Sequence, residues 1–249
     1  MGSNTNLIRV FDHIAAKMGK NMPLNRIYGE DWFLRLILFW FDSNKGNGLE
    51  FPLSFGNDDV WYAQGRLRGF LDVPLSVFDG AFGNIKKDDE NSYFNLERIC
   101  KSFVVLEAKM KSPFRSDTAK TEIDQVSRTI FCMCRAVETA CTWQWPKIEF
   151  IAFLDKFEQL AFYSLVMEED SGGIDITTLH NKDHIRRCIE TFIEKEPHDN
   201  YCNNFFLPFL EKISIEIITW EEVIAFITGE DIDYGNHLMK FYDRCKKFN

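Results

Sequence analysis

Hydrophobic and polar positions along the chain predict helices and strands in alternation. Residues 32–41, which follow Glu30, are too uniformly apolar for a surface helix and predict a buried one. Residues 60–62 and 69–73 have the β-branched and aromatic content of strands. Residues 80–98 then predict a polar excursion between strands.

A central strand and a βαβ unit are predicted next. Residues 103–106 are apolar on both faces, which is typical of a central strand with layers above and below it. Residues 119–142 predict a helix, and residues 147–154 predict a second buried strand. Strand, helix and strand in this order imply parallel pairing through a crossover connection.

The C-terminal third continues the alternation. Helices are predicted at 181–194 and 234–247, with a strand at 213–219 between them. A capping-box pattern directly after that strand opens a further helix. Because no linker divides the chain, we expect an α/β fold in a single domain of residues 1–249.

Composition and charge indicate the cellular environment of the protein and limit its possible partners. The seven cysteines form no disulfide framework, and the chain has no signal peptide, so we expect a reducing, cytoplasmic environment. No apolar stretch is long enough to span a bilayer, so no membrane association is expected. The net charge of −9 argues against a protein that coats nucleic acid nonspecifically, although it is compatible with one basic groove.

The clearest chemical signal is a carboxylate followed two residues later by a lysine at the end of the central strand. Period two puts Glu107 and Lys109 on the same face, and burying both is costly unless a metal ion or a phosphate compensates. Asp72, at the end of the predicted strand 69–73, would complete a hard oxygen site for Mg²⁺ or Mn²⁺. Such an ion would polarise a phosphate and activate water, and Lys109 would steady the developing charge.

The upstream acid has alternatives. Asp72 requires that residues 80–98 are an insertion in a hairpin. Asp79 is the substitute, although an aspartate before a glycine is more typical of a turn. Asp58 and Asp59 are more remote candidates.

These residues resemble the signature of the PD-(D/E)XK, or restriction-endonuclease-like, superfamily. The signature is an acid at the end of one strand and (D/E)-x-K on the next, which corresponds to Asp72 and to Glu107 with Lys109; leucine stands before Asp72 where the signature has proline. Glu30 resembles the helical acid that many members add to the metal site. Gln125 resembles the glutamine that orients the active-site groups.

The resemblance implies a mixed central β-sheet flanked by helices, with a nuclease-like core at about 26–155 and a C-terminal α/β extension at about 156–249. It implies a magnesium-dependent endonuclease that cuts DNA rather than RNA, since most relatives do. A homodimer is compatible, because two symmetric sites cut both strands of a duplex most simply. The alternatives are a catalytically inactive module on the same fold, binding nucleic acid or a partner protein, and an α/β protein in which the motif is accidental.

Several cations are candidates for phosphate contacts. Arg128 follows Gln125 by one helical turn, and Arg66 and Arg68 lie beside the predicted site strand. Lys111 belongs to a basic stretch, residues 109–120, near which we expect any groove for a polyanion.

Two histidines form a weaker pattern. His180 and His184 have the i, i+4 spacing of paired metal ligands, but no glutamate follows His180 as a zinc-protease motif requires. We therefore expect surface or capping histidines.

Overall fold

A computed structural model describes Arg9 and residues 28–68, 76–87, 93–97, 99–110, 123–144, 149–171, 174–193 and 199–248. Its elements, in chain order, are α1 (Glu30–Ser43), β1 (Val60–Leu67), β2 (Ser76–Gly83), β3 (Ile85–Lys87), β4 (Phe94–Leu96), β5 (Ser102–Ala108), α2 (Gln125–Gln144), α3 (Phe150–Leu154), β6 (Gln159–Val166), α4 (Glu168–Ser171), α5 (Ile174–Leu179), α6 (Lys182–Ile193), α7 (Asp199–Tyr201), a π-helical turn (Cys202–Phe206), α8 (Leu207–Lys212), β7 (Ser214–Thr219), α9 (Trp220–Glu230) and α10 (Ile232–Phe248).

Five strands form a mixed sheet in the order β1-β2-β5-β6-β7. The pairs β1–β2 and β2–β5 are antiparallel, whereas β5–β6 and β6–β7 are parallel. A separate two-stranded antiparallel sheet, β3–β4, lies within the predicted polar excursion. The predicted α/β class, with a mixed central sheet flanked by helices, is confirmed.

Helices cover both faces of this sheet. Val104, Leu106 and Ala108 of β5 face a core that includes α1, α9 and α10. Phe103 and Val105 face the opposite core, which includes α2, α6 and α8. All seven residues of β5 are buried, as an apolar strand between two helical layers requires.

The second strand of the βαβ unit was wrongly placed. Within the predicted strand 147–154, residues 150–154 form helix α3, and the strand parallel to β5 is β6. Phe150, Phe153 and Leu154 are buried while the two residues between them are exposed, which is a helical period. The sheet therefore takes its last two strands from beyond residue 155.

The strand beside β5 was also misassigned. It is β2, which runs through the Asp79-Gly80 pair that we expected to form a turn. The predicted strand at 69–73, with Asp72, lies outside the described residues.

Candidate active site

Asp79 and Glu107 face each other across β2 and β5. The ladder pairs Gly80 with Leu106, and one further step brings these two acids opposite. The backbone amide of Ala108 donates to Asp79 Oδ2 at 2.9 Å, which holds this carboxylate at the end of β5. The acid beside the Glu-x-Lys pair is therefore Asp79, the alternative to Asp72.

Glu107 is almost fully buried, at 1% exposure. Its Oε1 accepts hydrogen bonds from Lys109 Nζ, at 2.6 Å, and from the side-chain amide of Gln125. The other oxygen, Oε2, is buried and accepts no hydrogen bond from a described donor, while the carboxyl groups of Glu107 and Asp79 are themselves in hydrogen-bond contact. Burial raises the pKa of Glu107 to about 8; the charge of Asp79 adds to this shift, and Lys109 opposes it.

Lys109 sits between the two acids. Its Nζ lies 2.6 Å from Glu107 Oε1 and 3.8 Å from Asp79 Oδ2. Burial works to lower the pKa of Lys109, but the two carboxylates outweigh it, so the pKa lies above its ordinary value and the ammonium stays charged. The backbone is anchored as well, because Trp220 Nε1 donates to the Lys109 carbonyl at 3.0 Å.

The first turn of α1 brings two more acids. Glu30 Oε2 accepts from the Met110 backbone amide at 2.8 Å, and burial raises the pKa of Glu30. Asp31 accepts from the Gln64 side-chain amide at 2.6 Å, and its charge contributes to the raised pKa of Asp79, which burial dominates. Acids in a first helical turn are favoured by the helix dipole, so α1 can place both here at little cost.

Gln125 reaches Glu107 because it is the first residue of α2. The residue before it, Asp124, accepts from the Ser127 backbone amide at 2.9 Å, in the manner of a helix N-cap. This cap fixes where α2 begins, and so directs the Gln125 amide toward the site.

The structure gathers only part of the predicted phosphate-binding set. Arg66 is exposed. It pairs with Val77, two residues from Asp79 on β2, and so lies at the same end of the sheet as Asp79. Arg68 is also exposed, with its guanidinium 5.0 Å from the centre of the Tyr93 ring. Arg128 is half-buried on α2. Lys111 lies outside the described residues.

The donor set fits a hard cation in its chemistry. Glu107, Asp79 and Glu30 offer carboxylate oxygens, which Mg²⁺ prefers, and the buried Oε2 of Glu107 is an acceptor that a cation would satisfy. Glu107, Asp79 and Glu30 do not, however, bring their carboxylate oxygens all within 4.8 Å of one another. A divalent ion here therefore requires side chains to rotate and Lys109 to shift from between the two strand acids.

In the described part of the chain, one group of three His, Cys, Asp or Glu side chains brings its ligand atoms within 4.8 Å of one another. That group is Asp124, His184 and Cys188. Sequence reasoning missed it, although His184 and Cys188 have the i, i+4 spacing that puts two ligands on one helix face.

His180 is buried rather than at the surface, and it fits the capping alternative, since it directly follows α5 and contacts a carbonyl in the last turn of that helix. Its Nε2 lies 2.6 Å from Ser164 Oγ and its Nδ1 lies 2.7 Å from the Ile176 carbonyl oxygen. Ser164 pairs with Glu107 across β5 and β6. Glu107, Ser164 and His180 therefore form a row of neighbouring polar side chains. Burial lowers the pKa of His180 and favours its neutral form.

Within the described residues, no helix combines the length and the apolar character needed to cross a membrane. Comparisons with protein-family models, with characterised proteins and with solved structures found no match to this chain. The fold and the site define an α/β protein with a buried acid–lysine cluster at the end of a central strand.

Proposed function

We propose that this chain is a metal-dependent nuclease with a restriction-endonuclease-like core, which hydrolyses phosphodiester bonds in DNA. The observation that carries the proposal is the environment of Glu107, a buried acid whose carboxyl group meets that of Asp79 and has one oxygen that no described donor reaches. Asp79 faces it, and Lys109 lies next to both. A buried acid pair is costly to maintain and is typical of sites that bind a cation.

Each residue has a distinct role in this proposal. Glu107 and Asp79 would hold the ion, and Glu30 would add a third carboxylate from α1. Mg²⁺ or Mn²⁺ supplies Lewis-acid polarisation of the phosphate and activation of water when it is bound. Asp79 would serve as the strand acid of the family signature, and Asp72 lies outside the described residues.

Lys109 and Gln125 act on charge and orientation. Rotation of Lys109 away from Glu107 frees its ammonium to neutralise negative charge that develops on the phosphate. The Gln125 amide holds one oxygen of Glu107, which would leave the other oxygen available to a cation. Arg66 and Arg68 lie exposed at the same end of the sheet, where they can contact the backbone of a nucleic acid.

A second candidate is a catalytically inactive module that binds nucleic acid or a partner protein through the same fold. One observation favours it: Lys109 neutralises the acid pair directly, at 2.6 Å from Glu107. In an inactive module this ion pair would be permanent. Divalent ions would then leave the unfolding temperature unchanged, because nothing would bind the folded state.

The test is cleavage of single- and double-stranded DNA and RNA by the full chain, with Mg²⁺ or Mn²⁺ and with EDTA. Lys109→Ala removes the site cation. The matched control is Lys101→Ala, since Lys101 precedes the other end of β5 and pairs with Glu158 at 2.7 Å in an exposed position. We expect metal-dependent cutting that Lys109→Ala abolishes and Lys101→Ala retains. Cleavage by both variants contradicts the proposal. So does a failure of the wild type and both variants to cleave any substrate.

A further inference from the structure

A second cluster of side chains lies on the α2 side of the sheet. His184 Nε2 is 3.2 Å from Asp124 Oδ2 and 3.4 Å from Cys188 Sγ. Asp124 directly precedes α2, whereas the other two lie one turn apart on α6. The three residues therefore join two elements that are distant in sequence.

Hydrogen bonds already connect these three side chains, since the Cys188 thiol reaches Asp124 and Ser127 as well as His184. Both short contacts end on the same ring nitrogen of His184. A neutral imidazole nitrogen either donates one hydrogen or accepts one, so Nε2 serves the carboxylate or the thiol, and the Cys188 thiol can bond to Asp124 or Ser127 instead. A single cation at the meeting point satisfies all three donor atoms together.

Two of the three spacings within the cluster agree with tetrahedral coordination. Zinc bonds of about 2.3 Å to sulfur and about 2.0 Å to nitrogen place those two donor atoms about 3.5 Å apart. Nitrogen and carboxylate oxygen ligands of one zinc ion lie about 3.3 Å apart by the same geometry. The distances of 3.4 Å and 3.2 Å around His184 are close to both values.

The surroundings of the cluster hold its ligands in place. Ser127 donates to Asp124 twice, from its backbone amide at 2.9 Å and from its hydroxyl at 2.6 Å. The Asn181 side chain accepts from the His184 backbone amide at 3.2 Å, which fixes the start of α6. Such outer contacts orient metal ligands and tune their affinity. His184 remains partly open to solvent, with 26% of its side chain exposed, so an ion has a path to the cluster.

We propose that Asp124, His184 and Cys188 form a binding site for Zn²⁺, separate from the acids around Lys109. Thiolate and imidazole ligands select zinc and similar metals over Mg²⁺, so the two sites differ in chemistry as well as in residues. Three protein ligands leave the fourth position for water or for a substrate group. The ion would also connect the start of α2 to α6, because its ligand Asp124 directly precedes Gln125.

The test measures zinc bound by the full chain after it has been stripped with a chelator, by elemental analysis and by competition with a chromophoric chelator. We expect one zinc per chain. Cys188→Ser and His184→Ala should each lower the affinity by more than about 100-fold, and Ser127→Ala by about 10–100-fold. Substitution with Co²⁺ should give a thiolate-to-cobalt charge-transfer band that Cys188→Ser abolishes while the protein stays folded.

Matched controls separate this site from others. Cys141→Ala, in the core of α2, and His237→Ala, on α10, should keep zinc binding at the wild-type level. Glu107→Gln should keep it as well, because the proposed nuclease site is distinct. Absence of bound zinc, or equal zinc binding by Cys188→Ser and wild type, would overturn the proposal. So would loss of zinc in Glu107→Gln alone, which would place the ion among the acids.

Discussion

Asp79 and Glu107 occupy facing positions on neighbouring antiparallel strands, one step beyond the pair Gly80–Leu106. Side chains at such positions share one face of the sheet, with Cβ atoms about 4.5–5.5 Å apart. Burial and the mutual repulsion of the two carboxylates both act to raise the pKa of Glu107. Either a proton or a cation relieves this repulsion, so the two should compete.

Without divalent metal, the free energy of unfolding should fall as the pH rises from about 5 to about 8. The folded-state pKa of Glu107, about 8, lies above its ordinary value of 4.5, so the folded protein binds more protons than the unfolded chain between these limits. The stabilising contribution of Glu107 is fully present below its ordinary pKa of 4.5 and is lost as the pH rises through its folded-state pKa of about 8. Urea unfolding in EDTA across this range measures it.

Glu107→Gln is the matched variant for that measurement, because the amide keeps the shape of the side chain and cannot ionise. Over the same pH range, the unfolding free energy of the variant should fall less than that of the wild type. The two decreases should differ by more than about 1 kcal/mol. Equal pH slopes for wild type and variant would show that Glu107 titrates normally in the folded protein.

Divalent metal should reverse this loss of stability. At pH 8, Mg²⁺ or Mn²⁺ at 100 times its dissociation constant should stabilise the wild-type protein by about 2.7 kcal/mol. Asp79→Asn should need a much higher metal concentration for the same rise in unfolding temperature. Asp155→Asn is the control, since Asp155 is exposed and pairs with Lys212 at 2.6 Å. An identical metal response in both variants would remove Asp79 from the site.

Gln125 should affect turnover more than substrate binding. Gln125→Ala removes the amide that holds Glu107 Oε1, and we expect kcat to fall by about 10–100-fold with a smaller change in KM. Steady-state cleavage kinetics test this, with Gln159→Ala as control, since Gln159 bonds instead to the Pro52 carbonyl at 2.8 Å. A change confined to KM would indicate a substrate contact rather than a positioning residue.

The backbone beside Asp79 depends on a glycine. A Cβ on Gly65 of β1 would lie 2.1 Å from a ring atom of Phe94 and 2.4 Å from one of Phe78. Gly65→Ala should therefore destabilise the protein by about 1–3 kcal/mol. Gly229→Ala on α9, where nothing lies within 4 Å, should be neutral or stabilising by up to about 1 kcal/mol. Thermal unfolding of both variants distinguishes these outcomes, and equal effects would contradict this packing.

Sequence reasoning located the strongly patterned elements. The buried helix after Glu30 and the central strand with Glu107 and Lys109 were both predicted, because their apolar runs are long or are covered on both faces. The division of β5 into two faces was predicted by period two, and it follows the two cores of the structure. Local pattern determined each of these features.

Features that depend on pairing in space were missed. The apolar run after residue 147 has the composition of a strand, but Ile151 and Ala152 are exposed between buried neighbours, which is the period of a helix. Asp79 was given second place because Asp-Gly favours turns, whereas neighbouring strands hold it extended in β2. Cys188 approaches Asp124 only after α6 packs against α2, a contact that no local pattern contains.

The most direct test of the central claim is the rate of DNA cleavage by Glu107→Gln in Mg²⁺, beside wild type and Glu158→Gln. Glu158 is an exposed acid that pairs with Lys101, so its substitution controls for the loss of one charge. We predict that Glu107→Gln stays folded and cleaves more than about 100-fold more slowly, because removal of a direct ligand should exceed outer-contact effects of about 10–100-fold. Cleavage by Glu107→Gln at the wild-type rate, or wild-type cleavage that continues in EDTA, would contradict a metal-dependent nuclease site at Glu107.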